Sequence, residues 1–169
     1  YKGHKDVVGA LAFSPDSQWL ASGGSDGTLR LWATGAPAQA AAVTALTAPI
    51  RGIVFSPDGA SYAAGDQFGG VHVYPTPGPD LAKPATELEL PGHDASIRAL
   101  DFSSNGVWLA TGDENGVVRV WNLKDGTRSY VVRAHNSSIR GLDFVRGAGV
   151  EKLVTAGDDG PDQSSVRLW

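Results

Sequence analysis

The sequence predicts an all-β protein built from four copies of one short antiparallel unit. A phenylalanine recurs in each copy at intervals of 42, 47 and 42 residues, at Phe13, Phe55, Phe102 and Phe144. An aromatic residue closes each copy at intervals of 42, 47 and 48 residues, at Trp32, Tyr74, Trp121 and Trp169. Apolar runs of strand length, separated by turn residues, lie between these markers. A fixed period of this length indicates a repeat architecture.

The first copy shows the elements of the unit. Residues 7–13 are an apolar run, which predicts a strand buried on both faces. Residues 14–17 read Ser-Pro-Asp-Ser and supply turn chemistry, and residues 19–22 form a second short strand. Asp26-Gly27 is typical of a tight hairpin turn, and residues 28–32 alternate in polarity like a half-buried strand. Together these elements predict a three-stranded meander.

A fourth, outer strand is expected after each closing aromatic residue. Residues 33–46 are rich in alanine, which favours a helix, and residues 38–48 can be drawn as one. We favour a strand, because the equivalent residues 127–133 after Trp121 are strand-like. In the second copy the proline-rich residues 75–84 precede an outer strand at 86–90. We interpret them as a loop insertion, with a docking motif as the alternative.

The bulk properties exclude several classes of protein. The formal net charge is −4 without a basic cluster, so duplex nucleic acid is not an expected partner. No apolar run reaches 18 residues, which argues against a transmembrane helix and a membrane partner. The absence of cysteine excludes disulfides and thiolate metal sites, and a cytoplasmic location is our expectation.

The motifs of the first copy resemble those of the WD-repeat β-propeller family. They are Gly3-His4, Phe13-Ser-Pro-Asp16, Leu20-Ala-Ser-Gly23 and Asp26-Gly-Thr-Leu-Arg-Leu-Trp32. The resemblance covers essentially the whole chain. It implies a β-propeller whose blades are four-stranded antiparallel sheets around a central channel. The implied blades are approximately residues 5–46, 47–91, 94–134 and 136–169, with the last lacking its outer strand.

The resemblance also implies a buried hydrogen-bond relay in three of the blades. Such a relay satisfies an indole donor through a hydroxyl and passes to an imidazole and a carboxylate. By position its members are His4, Ser22, Asp26 and Trp32, then His93, Thr111, Asn115 and Trp121, then His135, Thr155, Asp159 and Trp169. The amide of Asn115 would be a weaker acceptor. The second blade has Leu46 and Phe68 in the histidine and aspartate positions. It keeps only Ser61 or a neighbour and is expected to rely on apolar packing.

A Ser–His–Asp set also invites interpretation as a hydrolase. A hydrolase needs an exposed nucleophile beside an oxyanion hole, whereas a structural set recurs once per blade. Recurrence is what the spacing shows, so we expect no catalytic residue and no cofactor. The relay histidines lie in different blades, which argues against a shared metal site. His72 is expected to be a solvated residue at a sheet edge.

A candidate binding surface lies where the copies differ. Five residues after each histidine position the chain carries Gly9, Arg51, Arg98 and Arg140. The residues before the hairpin aspartate position are Ser25, Gln67, Glu114 and Asp158, and the resemblance places both sets near the channel mouth. Our hypothesis is that the three arginines bind an acidic peptide or a phosphorylated side chain. In the alternative they only pair with Glu114 and Asp158 on adjacent blades.

The expected function is a non-catalytic scaffold for protein–protein interaction. The alternative is a sensor or targeting module of a larger multidomain enzyme, such as an NTPase, kinase or protease. The chain begins at Tyr1, contains no methionine and ends at Trp169, where earlier copies continue into another strand. We therefore expect an excerpt of a longer propeller, an incomplete ring with apolar end faces. Two copies completing an eight-bladed ring are the alternative.

Overall fold

The computed structural model describes residues 1–35, 42–77, 88–90, 92–124, 129–146 and 151–169. These residues form four antiparallel sheets and contain no helix, so none of the described elements could cross a membrane as a helix. The first sheet comprises β1 (Val8–Phe13), β2 (Trp19–Gly24), β3 (Thr28–Ala33) and β4 (Ala42–Ala45). The second comprises β5 (Ile50–Phe55), β6 (Ser61–Asp66), β7 (Val71–Pro75) and β8 (Leu88–Leu90).

The third and fourth sheets continue the pattern. The third comprises β9 (Ile97–Phe102), β10 (Trp108–Asp113), β11 (Val117–Asn122) and β12 (Ser129–Arg133). The fourth comprises β13 (Ile139–Arg146), β14 (Glu151–Gly160) and β15 (Gln163–Leu168). In every sheet the strands are hydrogen-bonded in chain order. The all-β prediction of three four-stranded blades and a last blade of three strands is confirmed.

One turn recurs between the first and second strands of the first three blades. Its first residue is a serine whose hydroxyl donates to the side chain two residues later, for example Ser56 Oγ to Asp58 Oδ1 at 2.6 Å. The same carboxylate accepts the backbone N–H of Ala60 at 3.0 Å. These hydrogen bonds, that of Ser56 first, lower the pKa of Asp58. The turn at Phe-Ser-Pro-Asp is thus closed by its own side chains.

The core lies between the sheets. Leu29 and Leu31 of the first blade belong to one apolar cluster with Ile50 and Phe55 of the second. A second cluster joins the second and third blades, and a third joins the third and fourth. The first, inner strands of the second to fourth blades therefore direct their phenylalanines toward the preceding blade, while the third strands of the first to third blades pack toward the next. Each blade therefore has two different apolar surfaces, one on its first strand and one on its third strand.

The preference for an outer strand over a helix is confirmed where the chain is described, since residues 42–45 form β4. The described part of the second outer strand is Leu88–Leu90, and most of the proline-rich connection, residues 78–87, lies outside the described residues. One prediction is wrong. The first strand is not buried on both faces, because Leu11 and Phe13 are each 64% exposed. No described blade packs on that side of β1.

Candidate functional site

The candidate site begins with a β-bulge at the start of each inner strand. In the first blade Val8 pairs with Gly24 and Ala10 with Gly23, so Gly9 has no partner across the ladder. The same register shift leaves three arginines opposite no residue, namely Arg51, Arg98 and Arg140. A bulge re-aims the side chain of its extra residue. All three arginines are exposed, and the inner strands that carry them lie side by side.

Each arginine is held by a side chain of its own blade. Arg51 Nη2 donates to Gln67 Oε1 at 2.6 Å, and Arg98 Nη2 donates to Glu114 Oε1 at 2.7 Å. The alternative named Glu114 and Asp158 as the partners, and Arg98 and Arg140 do pair with them, but within one blade rather than across adjacent blades. Between blades these arginines show, among the described residues, only a longer-range electrostatic effect: Glu114 of the third blade also contributes to raising the pKa of an arginine in the fourth.

That fourth-blade arginine is Arg140, which contacts a carboxylate through two of its nitrogen atoms. Its Nε and Nη2 lie 2.9 and 2.8 Å from Asp158 Oδ2. The hydrogen bond with Asp158 raises the pKa of Arg140, and the same bond lowers the pKa of Asp158. Because Arg140 is exposed and Asp158 is partly exposed to solvent, such a pair adds little to stability. We call Arg51, Arg98 and Arg140 the arginine arc.

The charge of the arginine arc is only partly neutralised. Arg98 and Arg140 each face a carboxylate, but the partner of Arg51 is the neutral amide of Gln67. Three positive side chains against two negative ones leave a local charge of +1 on a chain whose net charge is −4. A guanidinium carries five N–H donors, so the pairing also leaves donor capacity for an anionic ligand. The arc can therefore bind a carboxylate or phosphate bidentately.

Sequence reasoning missed an exposed aromatic residue next in the chain to a partner of the arc. Phe68 follows Gln67 in the β6–β7 turn, where its side chain is 67% exposed. Its backbone N–H donates to Asp66 Oδ1 at 2.7 Å, which fixes the turn. The signal in the sequence was that Phe68 occupies the position at which the first repeat has Asp26. In the first blade, by contrast, Gly9 and Ser25 provide no comparable group, and the arc starts at the second blade.

The relay residues of the first blade lie within hydrogen-bond distance of one another. Trp32 Nε1 donates to Ser22 Oγ at 2.8 Å, and His4 Nε2 lies 2.8 Å from the same oxygen. His4 Nδ1 lies 3.1 Å from Asp26 Oδ1. Ser22 is only 3% exposed. Its hydroxyl is engaged on both sides and sealed from solvent, so this set braces the blade and lacks an exposed nucleophile.

In the third blade the carboxylate comes from a residue that we did not predict. Trp121 donates to Thr111 Oγ1 at 3.1 Å, and His93 Nε2 lies 2.8 Å from that oxygen. The acid is Asp113, whose Oδ2 lies 2.8 Å from His93 Nδ1. The assignment of Asn115 is wrong, since Asn115 is exposed and contributes its backbone N–H to Asp113 Oδ1. Burial would raise the pKa of Asp113, but hydrogen bonds, that of His93 first, outweigh it and lower that pKa.

The first blade shows why two positions can supply the acid. A Cβ built on Gly24, the counterpart of Asp113, would lie 2.4 Å from Asp26 Oδ1 and 2.6 Å from His4 Nδ1. Position 24 thus points at the place that the carboxylate occupies. A glycine there admits a carboxylate from two residues later, whereas an aspartate fills the place itself. The sequence contained a signal for this exchange. Gly24 lies two residues before Asp26, whereas Asp113 takes that position before Asn115.

The second and fourth blades carry their own versions. In the fourth, His135 Nε2 lies 2.9 Å from Thr155 Oγ1, Trp169 Nε1 donates to the same oxygen at 3.1 Å, and His135 Nδ1 lies 3.4 Å from Asp159 Oδ2.

In the second blade, His72 is 8% exposed, and its Nε2 lies 3.1 Å from Asp66 Oδ2. The prediction that His72 is solvated is therefore wrong, and this buried pair adds to the apolar packing that was predicted for the second blade. Asp66, which occupies the position of Asp113, was missed, and Ser61 instead takes part in the turn with Ser56.

Comparison with known proteins places these geometries in context. A family model described as "WD domain, G-beta repeat" matches residues 1–33 and 84–122. Cell division control protein 4 of Saccharomyces cerevisiae is 41% identical over 58 residues, which are 34% of this chain and 7% of that protein. Apoptotic protease-activating factor 1 of Rattus norvegicus is 49% identical over 43 residues, 25% of this chain and 3% of that protein. The chain spans less than a tenth of the length of these relatives.

Solved structures match over nearly the whole chain. The computationally designed Ika4 protein has a TM-score of 0.79 and 26% identity, covering 99% of this chain and 93% of that one. The designed Ika8 protein has a TM-score of 0.78 and 26% identity, covering 99% of this chain but 47% of that one. The WD40 repeats of RRP9 share the fold, with a TM-score of 0.82 and 20% identity over 99% of this chain and 49% of that one.

Proposed function

The chain belongs to the WD-repeat family, and we propose that it binds an acidic or phosphorylated protein segment on the arginine arc. Members of this family typically act as scaffolds for protein interaction. The observation that supports the finer proposal is the placement of one arginine on the bulge of three successive inner strands. The family supports the scaffold role, and the geometry of the arginines supports the proposal of an anionic partner.

The pairing within the arc favours exchange with a ligand. Solvent-exposed ion pairs contribute about 0–1 kcal/mol, so displacing Glu114 or Asp158 costs little. An incoming carboxylate or phosphate replaces them with a charge-assisted, bidentate partner. At Arg51 the ligand displaces only the amide of Gln67 and neutralises a charge that has no counter-ion in its described pairing. We therefore expect an anionic ligand to gain more binding free energy at Arg51 than at Arg98 or Arg140.

Phe68 offers an exposed apolar group one residue after Gln67, the partner of Arg51. Aromatic residues and arginine are both enriched among the residues that dominate binding energy. An exposed phenylalanine in the turn that follows Gln67 favours a ligand with an apolar side chain close to its anionic group. The proposed partner is thus a segment that combines acidic or phosphorylated residues with an apolar residue, rather than a purely polyanionic one.

The test is the affinity of an acidic, phosphoserine-containing peptide for the chain with Arg51→Ala, Arg98→Ala and Arg140→Ala combined. Loss of three bidentate donors should weaken binding at least about tenfold, equivalent to about 1.4 kcal/mol. The matched control combines Lys124→Ala, Arg133→Ala and Lys152→Ala, which removes the same charge from exposed positions outside the arc. It should stay within about threefold of the unmodified chain. An affinity unchanged by the first triple substitution would contradict the proposal.

A second candidate function is that of a sensor or targeting module in a larger multidomain enzyme. The similarity to apoptotic protease-activating factor 1, of which this chain matches only 3%, favours this candidate. It is compatible with anion binding on the arc, since a targeting module also needs a binding surface. The full reading frame around these residues decides it. A frame that encodes no further domain would exclude it.

A further inference from the structure

The first blade exposes a face that the other blades bury. Its inner strand presents Val8, which is 44% exposed, together with Leu11 and Phe13, each 64% exposed. We call these three residues the leading face. The counterparts of Val8 in the second and third blades are Ile50 and Ile97, both fully buried, and those of Phe13 are Phe55 and Phe102, at 7% and 4% exposure. The counterparts of Leu11, which are Ile53 and Leu100, are half-buried. The difference is that each later inner strand packs against a preceding blade.

The fourth blade exposes the opposite face. Val166 and Leu168 on β15 are 71% and 58% exposed, and we call them the trailing face. Through the strand pairing, Leu168 lies opposite Val154 as Leu31 lies opposite Ala21, and Val166 lies opposite Ala156 as Leu29 lies opposite Gly23. Leu29 and Leu31 are 2% and 1% exposed. The trailing face is thus the counterpart of a surface that is buried in the first blade.

The leading and trailing faces are the two halves of one interface. Inside the chain, Leu29 and Leu31 belong to the same buried cluster as Ile50 and Phe55. Val166 and Leu168 correspond to the first pair, and Val8 and Phe13 to the second. The described residues therefore build this interface three times and leave one copy of each half without a partner among them. Apolar faces of this kind are interaction sites.

We propose that a second copy of the chain covers both faces, with the trailing face of each copy docked on the leading face of the other. Two such contacts close a two-fold symmetric ring of eight blades. The comparison with solved structures supports this occupant, because the chain superposes on 47% of the designed Ika8 protein with a TM-score of 0.78 and so matches about half of that structure. A four-blade chain of similar size also exists, since the match covers 93% of the designed Ika4 protein.

The first test is the mass of the isolated chain by light scattering over a dilution series. The proposal predicts a single species of twice 17.6 kDa, the mass of one chain, which persists to micromolar concentration or below. A persistent monomer would overturn it, as would an indefinite series of larger species, which indicates that the contact does not close. A monomeric chain would indicate that blades other than those of a second copy cover the two faces.

Variants of each face test the direction of docking. Leu11→Glu with Phe13→Glu places charge on the leading face, and Val166→Glu with Leu168→Glu places it on the trailing face. These side chains are exposed in the single chain, so folding should be retained, as circular dichroism would verify. Each double variant should be monomeric, since each spoils both contacts of the ring. The control is Val43→Glu, on the exposed outer strand β4, which should remain dimeric.

A mixture of the two double variants is the sharpest case. One partner keeps a normal trailing face and the other a normal leading face, so one contact can form and a two-chain species should reappear. A trailing-face variant that stays dimeric alone would show that leading faces pair with each other, which would overturn the proposal. Peptide binding on the arginine arc does not enter these readouts, so the two proposals fail independently.

Discussion

At the residue scale, the relay of the third blade shows how one carboxylate can be exchanged for another. Asp113 accepts hydrogen bonds from His93 and from the backbone N–H groups of Asn115 and Val117. Asn115 is exposed and reaches the relay only through its backbone. The two residues are neighbours in one turn, yet one lies at the centre of the network and the other outside it.

Substitution of these neighbours should therefore give unequal effects. Asp113→Ala leaves a buried imidazole and two backbone donors without their acceptor, which should lower the free energy of unfolding by about 2–3 kcal/mol. Asn115→Ala should cost about 0.5 kcal/mol or less, as is usual for surface substitutions. Urea denaturation of both variants measures the difference. Equal losses would show that Asn115 does belong to the relay.

At the element scale, an acidic pair connects the third and fourth blades. Asp101 on β9 accepts the backbone N–H of Phe144 on β13 at 2.7 Å. Burial raises the pKa of Asp101 to about 6, and the neighbouring Asp143 adds to the effect. The folded chain thus binds this proton more tightly than the unfolded chain does. Its stabilising contribution is complete below about pH 4 and is lost as the pH rises through 6.

Asp101→Asn should consequently stabilise the chain at pH 7.5, because the amide can still accept from Phe144 without carrying charge. A pKa raised by about two units corresponds to about 3 kcal/mol, but Asp101 is partly open to solvent, and about 1 kcal/mol is expected. The advantage should disappear near pH 4. Denaturation at both pH values tests this, with the exposed Asp94→Asn as control. An equal change in the free energy of unfolding at both pH values would contradict the raised pKa of Asp101.

The strands and their order could be predicted from the sequence because the pattern recurs with the fold. The outer strand β4 is an example, since its alanines favour a helix and only comparison with residues 127–133 indicated a strand. An open apolar face at each end of the incomplete ring was predicted, but the exposure of Phe13 itself was not, because Phe13 has the same apolar neighbourhood in the sequence as Phe55. What differs is the presence of a blade beside it. The pairing of His72 with Asp66 was also hidden, since it joins residues that the other blades do not combine.

At the scale of the whole molecule, repeated and varied positions have different roles. The repeated glycines, serines and aromatic residues brace each blade, while the bulge position changes from Gly9 to arginine in the following three blades. The candidate site was located from this variation, although the bulge that directs the arginines and the exposed Phe68 required the structure. Function is therefore proposed where the blades differ on a surface that they share.

The most direct test of this account is the affinity of the acidic peptide for Gln67→Glu, a substitution that removes no arginine and keeps the side-chain shape. A glutamate at position 67 would neutralise Arg51 as Glu114 already does Arg98. The account predicts peptide binding weaker by about two- to fivefold, about 0.4–1 kcal/mol, with unchanged stability. An affinity that is unchanged or higher in Gln67→Glu would contradict the central role of the arginine arc.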